Sequence, residues 1–213
     1  MGYEVFTYGN PEAATQLVQM VDDHDLSFLE NETALIRELS GGQEFGLKAV
    51  KVGSWNADLS PWTAPAVFGK EDFGEGASET LDFLLNNVVP ERSLAGGRTF
   101  LGGYSLAGLF ALWAGYQTDR FDGIAAASPS IWFPGFVDYM RENEMRPEAV
   151  YLSLGDREER TRNPVMAQVG NAIREGHDVL QAAGVKCVLA WNKGNHFKDA
   201  DLRTAKAFAW LMK

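Results

Sequence analysis

The sequence predicts an α/β fold of three layers, with helices on both sides of a mostly parallel central sheet. Strand-like and helix-like segments alternate along the whole chain, which is the order that parallel strands joined by helical crossovers require. At 213 residues the chain suits one domain, 1–213, since single cores stop growing at roughly 250–300 residues. Its 46% hydrophobic and 23% charged residues provide a sizeable core and exclude a disordered or collagen-like chain.

The elements follow in order. The stretch 3–8 alternates as a first strand, and 16–21 is a short apolar strand that stops at Asp22-Asp23-His24-Asp25. Leu26, Phe28, Leu29, Ala34, Leu35, Ile36 and Leu39 give one apolar helix face over 25–39, ended by Gly41-Gly42. Residues 45–52 read as a strand, and 53–76 as a long connection rich in Trp, Pro and Gly. Connections beyond about 12–15 residues tend to be functional or disordered, and Trp55, Trp62 and Phe68 argue against disorder. A helix over 77–88 is closed by Pro90. Then come a strand at 98–102, a helix at 106–117, a strand at 123–127, a helix at 136–144 and a strand at 149–154. The chain closes with a helix at 165–183, a strand at 185–191 and a helix at 202–212.

Charge narrows the function classes. Asp and Glu outnumber Lys and Arg by 29 to 19, a formal charge of -10, so phosphate backbones and anionic membranes are repelled on average and nucleic acid is not an expected partner. The one cysteine, Cys187, leaves no intrachain disulfide, and Val185-Lys186-Cys187-Val188-Leu189 reads as a buried strand. No stretch approaches the roughly 18 apolar residues of a membrane span, and residues 1–10 lack a signal-like pattern. A cytoplasmic location is the expectation.

The strongest chemical signal is Gly102-Gly103-Tyr104-Ser105-Leu106-Ala107-Gly108, placed where an apolar strand gives way to an apolar helix. A nucleophile elbow lifts one serine hydroxyl out of a sheet on a sharp turn, and it needs small residues two before and two after the serine. Gly103 and Ala107 fill those places, alanine standing where a second glycine is usual. The same turn sets the Leu106 N–H at a helix start, where it can stabilise a developing oxyanion. The competing reading is a serine that merely caps a helix.

A serine hydroxyl is a poor nucleophile until a neighbouring base takes its proton. Of three histidines, His177 lies among charged residues of a helix and reads as a solvated side chain, and His24 precedes the serine. His196, in Asn192-Lys193-Gly194-Asn195-His196-Phe197, follows the last strand, where the Ser, acid, His order puts the base. The acid is expected after the strand at 149–154, where Gly155-Asp156-Arg157-Glu158-Glu159 offers three carboxylates. Glu158 is preferred, with Asp156 and then Glu159 as alternatives.

These residues resemble the esterase family of α/β-hydrolases that includes enterobactin-type siderophore esterases, feruloyl esterases and S-formylglutathione hydrolase. The resemblance covers most of the chain and is carried by Gly103-Tyr104-Ser105-Leu106-Ala107-Gly108, Gly155-Asp156-Arg157-Glu158 and Gly194-Asn195-His196-Phe197. It implies an α/β-hydrolase fold and an acid at the third position after the glycine, hence Glu158; acyl transfer on such a triad requires no metal or organic cofactor. It also implies an oxyanion turn at Val21-Asp22-Asp23-His24, where relatives carry a glycine-rich or Asp-Gly turn. Backbone N–H groups of Asp22 or Asp23 would join Leu106 there, provided their carboxylates point away from the developing charge. The short opening suggests that N-terminal edge strands are missing.

The expected function is hydrolysis of a small-molecule carboxylic ester, or a thioester, through an acyl-enzyme on Ser105. Tyr104, Trp55, Asn56 and Trp62 are candidate substrate contacts, with core packing as the alternative for the tryptophans. A second class, a binding protein that keeps the fold without efficient chemistry, is suggested by the acidic Asp22-Asp23 turn. A third, a metal-dependent hydrolase on Asp22, Asp23, His24 and Asp25, requires adjacent side chains to face one ion, which they rarely do.

Overall fold

The computed structural model describes residues 2–89 and 96–213; Pro90, expected to close a helix, lies outside the described residues. Among the described residues seven strands form one sheet: β1 (Glu4–Gly9), β2 (Thr15–Val21), β3 (Gly46–Lys51), β4 (Arg98–Tyr104), β5 (Gly123–Ala127), β6 (Ala149–Gly155) and β7 (Lys186–Asn192). Their order is β1-β3-β2-β4-β5-β6-β7. Only β1 runs antiparallel, against β3; every other pairing is parallel. One antiparallel edge strand is therefore present at the N-terminal side of the sheet.

Eight α-helices accompany the sheet among the described residues: α1 (Asp23–Leu26), α2 (Leu29–Leu39), α3 (Trp55–Asp58), α4 (Ala77–Asn87), α5 (Leu106–Gln117), α6 (Phe136–Glu142), α7 (Val169–Ala182) and α8 (Ala200–Leu211). Successive strand residues point to opposite faces, which builds two cores from the same strands. Leu17 and Phe100 pack with Ile36 and Phe208 under α2 and α8. Their chain neighbours Val18 and Leu101 pack with Leu84, Leu109 and Ile173 under α4, α5 and α7. A strand covered on both faces has no polar side, and β5, Gly-Ile-Ala-Ala-Ala, is buried throughout. Helix α5 is buried from Leu106 to Tyr116, so its sequence is apolar all round, and each buried Leu or Phe in it contributes about 2–3 kcal/mol of transfer free energy.

The helix expected over 25–39 is two helices. Asp22 accepts the Asp25 N–H at 2.8 Å and Asp25 accepts the Asp22 N–H at 3.3 Å, a reciprocal cap that closes α1 as a single turn. The Ser27 hydroxyl donates to the His24 carbonyl at 2.6 Å where that turn ends, and the apolar face restarts at Leu29 and Ile36. The stretch expected as one helix over 165–183 opens instead with a 3₁₀ turn, Met166–Gln168, before α7. Cys187 is half-buried, because β7 is the outer strand and pairs on one side only. The long connection holds α3 and a single bridge between Ala64 and Phe73. Among the described residues no helix is long and apolar enough to cross a membrane.

Candidate active site

In a parallel sheet the loops at the carboxyl ends of the strands converge, and the register brings them to one edge here. Tyr104 of β4 pairs with Ala127 of β5, and Ala127 pairs with Ser153 of β6. Gly155 of β6 pairs with Asn192 of β7. Residues 105, 128–130, 156–160 and 193–197 therefore leave the sheet side by side.

Ser105 alone turns the chain from β4 into α5, at φ 58 and ψ -119. A side chain in that region is strained by about 1–3 kcal/mol, and such strain collects at functional sites. Gly103 is required beside it, since a Cβ there would stand 2.5 Å from the Ala107 Cβ; the alanine methyl itself is accommodated. All three non-glycine residues with positive φ among the described residues, Ser105, Ser128 and Asp199, lie at this edge.

His196 lies in the loop between β7 and α8. Its Nε2 is 3.0 Å from Ser105 Oγ and its Nδ1 is 2.6 Å from Glu158 Oε2. With the Nδ1 proton directed at the carboxylate, the Nε2 lone pair faces the serine hydroxyl. The other Glu158 oxygen accepts from the Gly155 N–H at 2.6 Å, Ser128 Oγ at 2.8 Å and Arg203 Nη1 at 2.7 Å. Burial works to raise the Glu158 carboxyl, but the hydrogen bond and charge of His196, with Gly155 and Ser128, hold it below the ordinary glutamate value. Glu158 thus stays ionised with only 7% of its surface exposed. The other acids are engaged elsewhere: Asp156 accepts the Gly194 N–H at 2.9 Å, and Glu159 pairs with Arg174 at 3.4 Å.

Arg203, which sequence reasoning did not single out, braces the site from the first turn of α8 with 1% exposure. It donates to Tyr104 Oη at 3.0 Å and Ser128 Oγ at 3.1 Å, and to the carbonyls of Lys193 and Asn195 at 3.3 and 2.9 Å. One guanidinium therefore fixes the acid and the loop that carries the base. Its sequence signal is an arginine on the same helix face as the buried Ala207 and Leu211. Ser130 was missed as well; its Oγ lies 3.3 Å from Ser105 Oγ.

Leu106 is the first residue of α5 and Asp23 the first of α1, so neither N–H has an intrahelical acceptor. Gln19 of β2 pairs with Gly102 of β4, which sets the turn after β2 level with the serine elbow. Asp22 uses its N–H in the α1 cap, so of the two expected donors, Asp22 and Asp23, it is Asp23 whose N–H is left uncommitted. The carboxylates are engaged away from it: Asp23 pairs with Lys51 at 2.7 Å and Asp22 accepts from Asp25. Those bonds separate the side chains proposed for a metal, and among the described residues no group of three or more His, Cys, Asp or Glu is arranged to hold one.

Ser105 opens into a cavity of about 550 Å³ walled by Trp55, Phe68, Trp132, Met166 and Phe197. Trp55 is at this wall, but the other expected contacts are placed differently. Asn56 is buried and donates to the Glu71 carbonyl at 3.1 Å. Trp62 packs on Phe133, Phe136 and Tyr139, and its Nε1 donates to the Pro134 carbonyl at 3.0 Å. Tyr104 donates from its hydroxyl to the His196 carbonyl at 2.6 Å, behind the histidine. Burial, joined by the Glu158 charge, pushes that phenol up to about 12, so it remains a donor at neutral pH. His177 is half-buried in α7, less solvated than its charged neighbours suggest.

No protein-family model and no curated protein matches the chain. Solved structures do. The siderophore hydrolase EstA from Aspergillus nidulans superposes with a TM-score of 0.71 at 22% identity, over 99% of this chain and 89% of its own. An IroE-like serine hydrolase from Shewanella oneidensis gives 0.76 at 17% identity, over 99% and 75%. The chain has the α/β-hydrolase fold. A ferulic acid esterase shares this α/β-hydrolase fold with a TM-score of 0.64 at 14% identity, over 99% of this chain and 98% of its own.

Proposed function

We propose that the chain is a serine hydrolase that cleaves a small-molecule carboxylic ester through an acyl-enzyme on Ser105. The single observation that carries this is the position of His196, 3.0 Å from Ser105 Oγ on one ring nitrogen and 2.6 Å from Glu158 on the other. The imidazole takes the serine proton as Oγ attacks the ester carbonyl, and Glu158 balances the imidazolium that forms. The N–H groups of Leu106 and Asp23 receive the oxyanion. The imidazolium then protonates the departing alcohol, and water activated by the same histidine releases the acid. The names of the structural neighbours, siderophore hydrolase and ferulic acid esterase, support ester hydrolysis. Thioesters fit the same chemistry.

The test is hydrolysis of p-nitrophenyl esters from acetate to laurate. Ser105→Ala and His196→Ala should each lower kcat by about 10⁵–10⁶-fold. A wild type that cleaves none of the series and leaves a fluorophosphonate unreacted would instead favour a binding protein on this fold.

A further inference from the structure

Two exposed guanidiniums stand at the mouth of the Ser105 cavity in a molecule that is acidic overall. The chain has 29 acidic and 19 basic residues, yet Arg157 and Arg160 both line the cavity, and neither guanidinium makes an ion pair or hydrogen bond to another described residue. Both are solvent-exposed. Arg157 caps the 3₁₀ turn Glu158–Arg160 and Arg160 ends it, the Arg160 N–H donating to the Arg157 carbonyl at 3.1 Å, so the two residues flank a single turn at the cavity wall. The nearby acids do not neutralise them. Glu158 is committed to His196 and Arg203, and Glu159 to Arg174. Asp156 is the remaining carboxylate; the Gly194 N–H holds it below the ordinary aspartate value against the cost of desolvation, with Lys193, Arg157 and Arg160 adding to the lowering. Three cations thus surround one acid.

Aromatic surface faces the same space. Phe197, beside His196, is 89% exposed, and Trp55, Phe68 and Trp132 stand in the walls. An uncovered phenylalanine and two unpaired guanidiniums at one mouth are each improved by a ligand that is flat, apolar and anionic at one end. Carboxylates meet guanidinium bidentately, and aromatic faces stack on rings and on arginine alike.

We propose that this pocket selects an aromatic ester that also bears a free carboxylate, and that Arg157 and Arg160 receive that carboxylate. The assignment rests on the ester-hydrolase reading and names its substrate class. The two guanidiniums act on specificity and do not touch the reacting carbonyl.

Two isosteric pairs test it: 4-acetoxybenzoate against 4-acetoxybenzamide, with the charge on the alcohol side, and methyl 4-carboxycinnamate against its 4-carbamoyl analogue, with the charge on the acyl side. Calorimetric titration of Ser105→Ala, where no turnover intervenes, should show the carboxylate of at least one pair binding about tenfold tighter than the amide at low salt. The pair that does so tells which side of the ester carries the charge. Adding Arg157→Gln and Arg160→Gln should bring that ratio to about one, while Arg157→Lys with Arg160→Lys should retain part of it. Equal binding of both pairs, or a preference that survives the double glutamine variant, overturns the proposal. A preference that stands while the wild type hydrolyses no ester sinks the hydrolase reading alone; brisk hydrolysis of charged and neutral esters at equal kcat/KM sinks this one alone.

Discussion

Glu158 and Glu32 are both buried glutamates, 7% and 3% exposed, and the structure treats them in opposite ways. Glu158 gathers four partners, one of them a buried guanidinium, and its carboxyl is held below the ordinary value. Glu32, in α2, has one hydrogen-bond partner among the described residues, Gln19 Nε2 at 3.4 Å; its Oε1 and the Gln19 Oε1 have none there. Burial therefore raises Glu32 well above the ordinary value, and Asp25 and Asp201 add to the rise against the Gln19 bond. The two acids line different cavities, Glu158 the large one with Ser105 and Glu32 a chamber of about 20 Å³ behind Tyr104. Equal burial does not decide whether a carboxylate ionises; the number and charge of its donors do.

The largest expected effect tests the donor-rich acid through activity. Glu158→Gln should lower kcat on a p-nitrophenyl ester by about 10³–10⁴-fold, because the amide cannot balance the imidazolium. Asp156→Asn, at the alternative acid, should cost less than about threefold; the reverse ranking would move the acid role to Asp156. Next is the brace. Arg203→Met leaves Glu158 buried without its cation and should cost about 3–5 kcal/mol in urea unfolding. A loss below about 1 kcal/mol would mean that His196 and the neutral donors suffice.

The smallest effect concerns Glu32 and has a sign set by linkage. A carboxyl raised in the folded state is protonated there while its unfolded counterpart ionises, so it costs stability that grows as pH rises above about 4.3. Glu32→Gln should therefore stabilise the fold by about 1–2 kcal/mol at pH 8, a gain that fades as the pH approaches 4. Glu158 behaves inversely. Its depressed carboxyl contributes stability that is present above about 4.3 and lost as pH falls through its folded value. Measured by thermal unfolding between pH 3.5 and 8, the stability of each glutamine variant relative to the wild type should change with pH in opposite directions; parallel changes would erase the contrast.

Much of this was legible in the sequence. The alternation of elements gives the sheet and its helices, and the serine elbow stands out because its small neighbours sit where a strand meets a helix. His196 follows from a choice among three histidines, whereas Glu158 over Asp156 depends on family resemblance, since three acids share one turn. The break between α1 and α2 was written in the Asp22–Asp25 spacing, but the apolar face running past it hides a one-turn helix. Arg203, Ser128 and Ser130 were not legible, because their roles exist only when loops far apart in the chain meet at one sheet edge. The Trp-rich connection divides in a way no period announces: Trp55 and Phe68 reach the cavity, while Trp62 turns toward α6.

The conformation of Ser105 bears on how such a chain can be improved. Its backbone torsion suits glycine, so Ser105→Gly should relieve about 1–3 kcal/mol of strain while removing the hydroxyl. The sturdier protein is then the inert one. A library selected for heat tolerance alone would drift toward discarding the nucleophile, and directed evolution of this scaffold has to screen for turnover and robustness together.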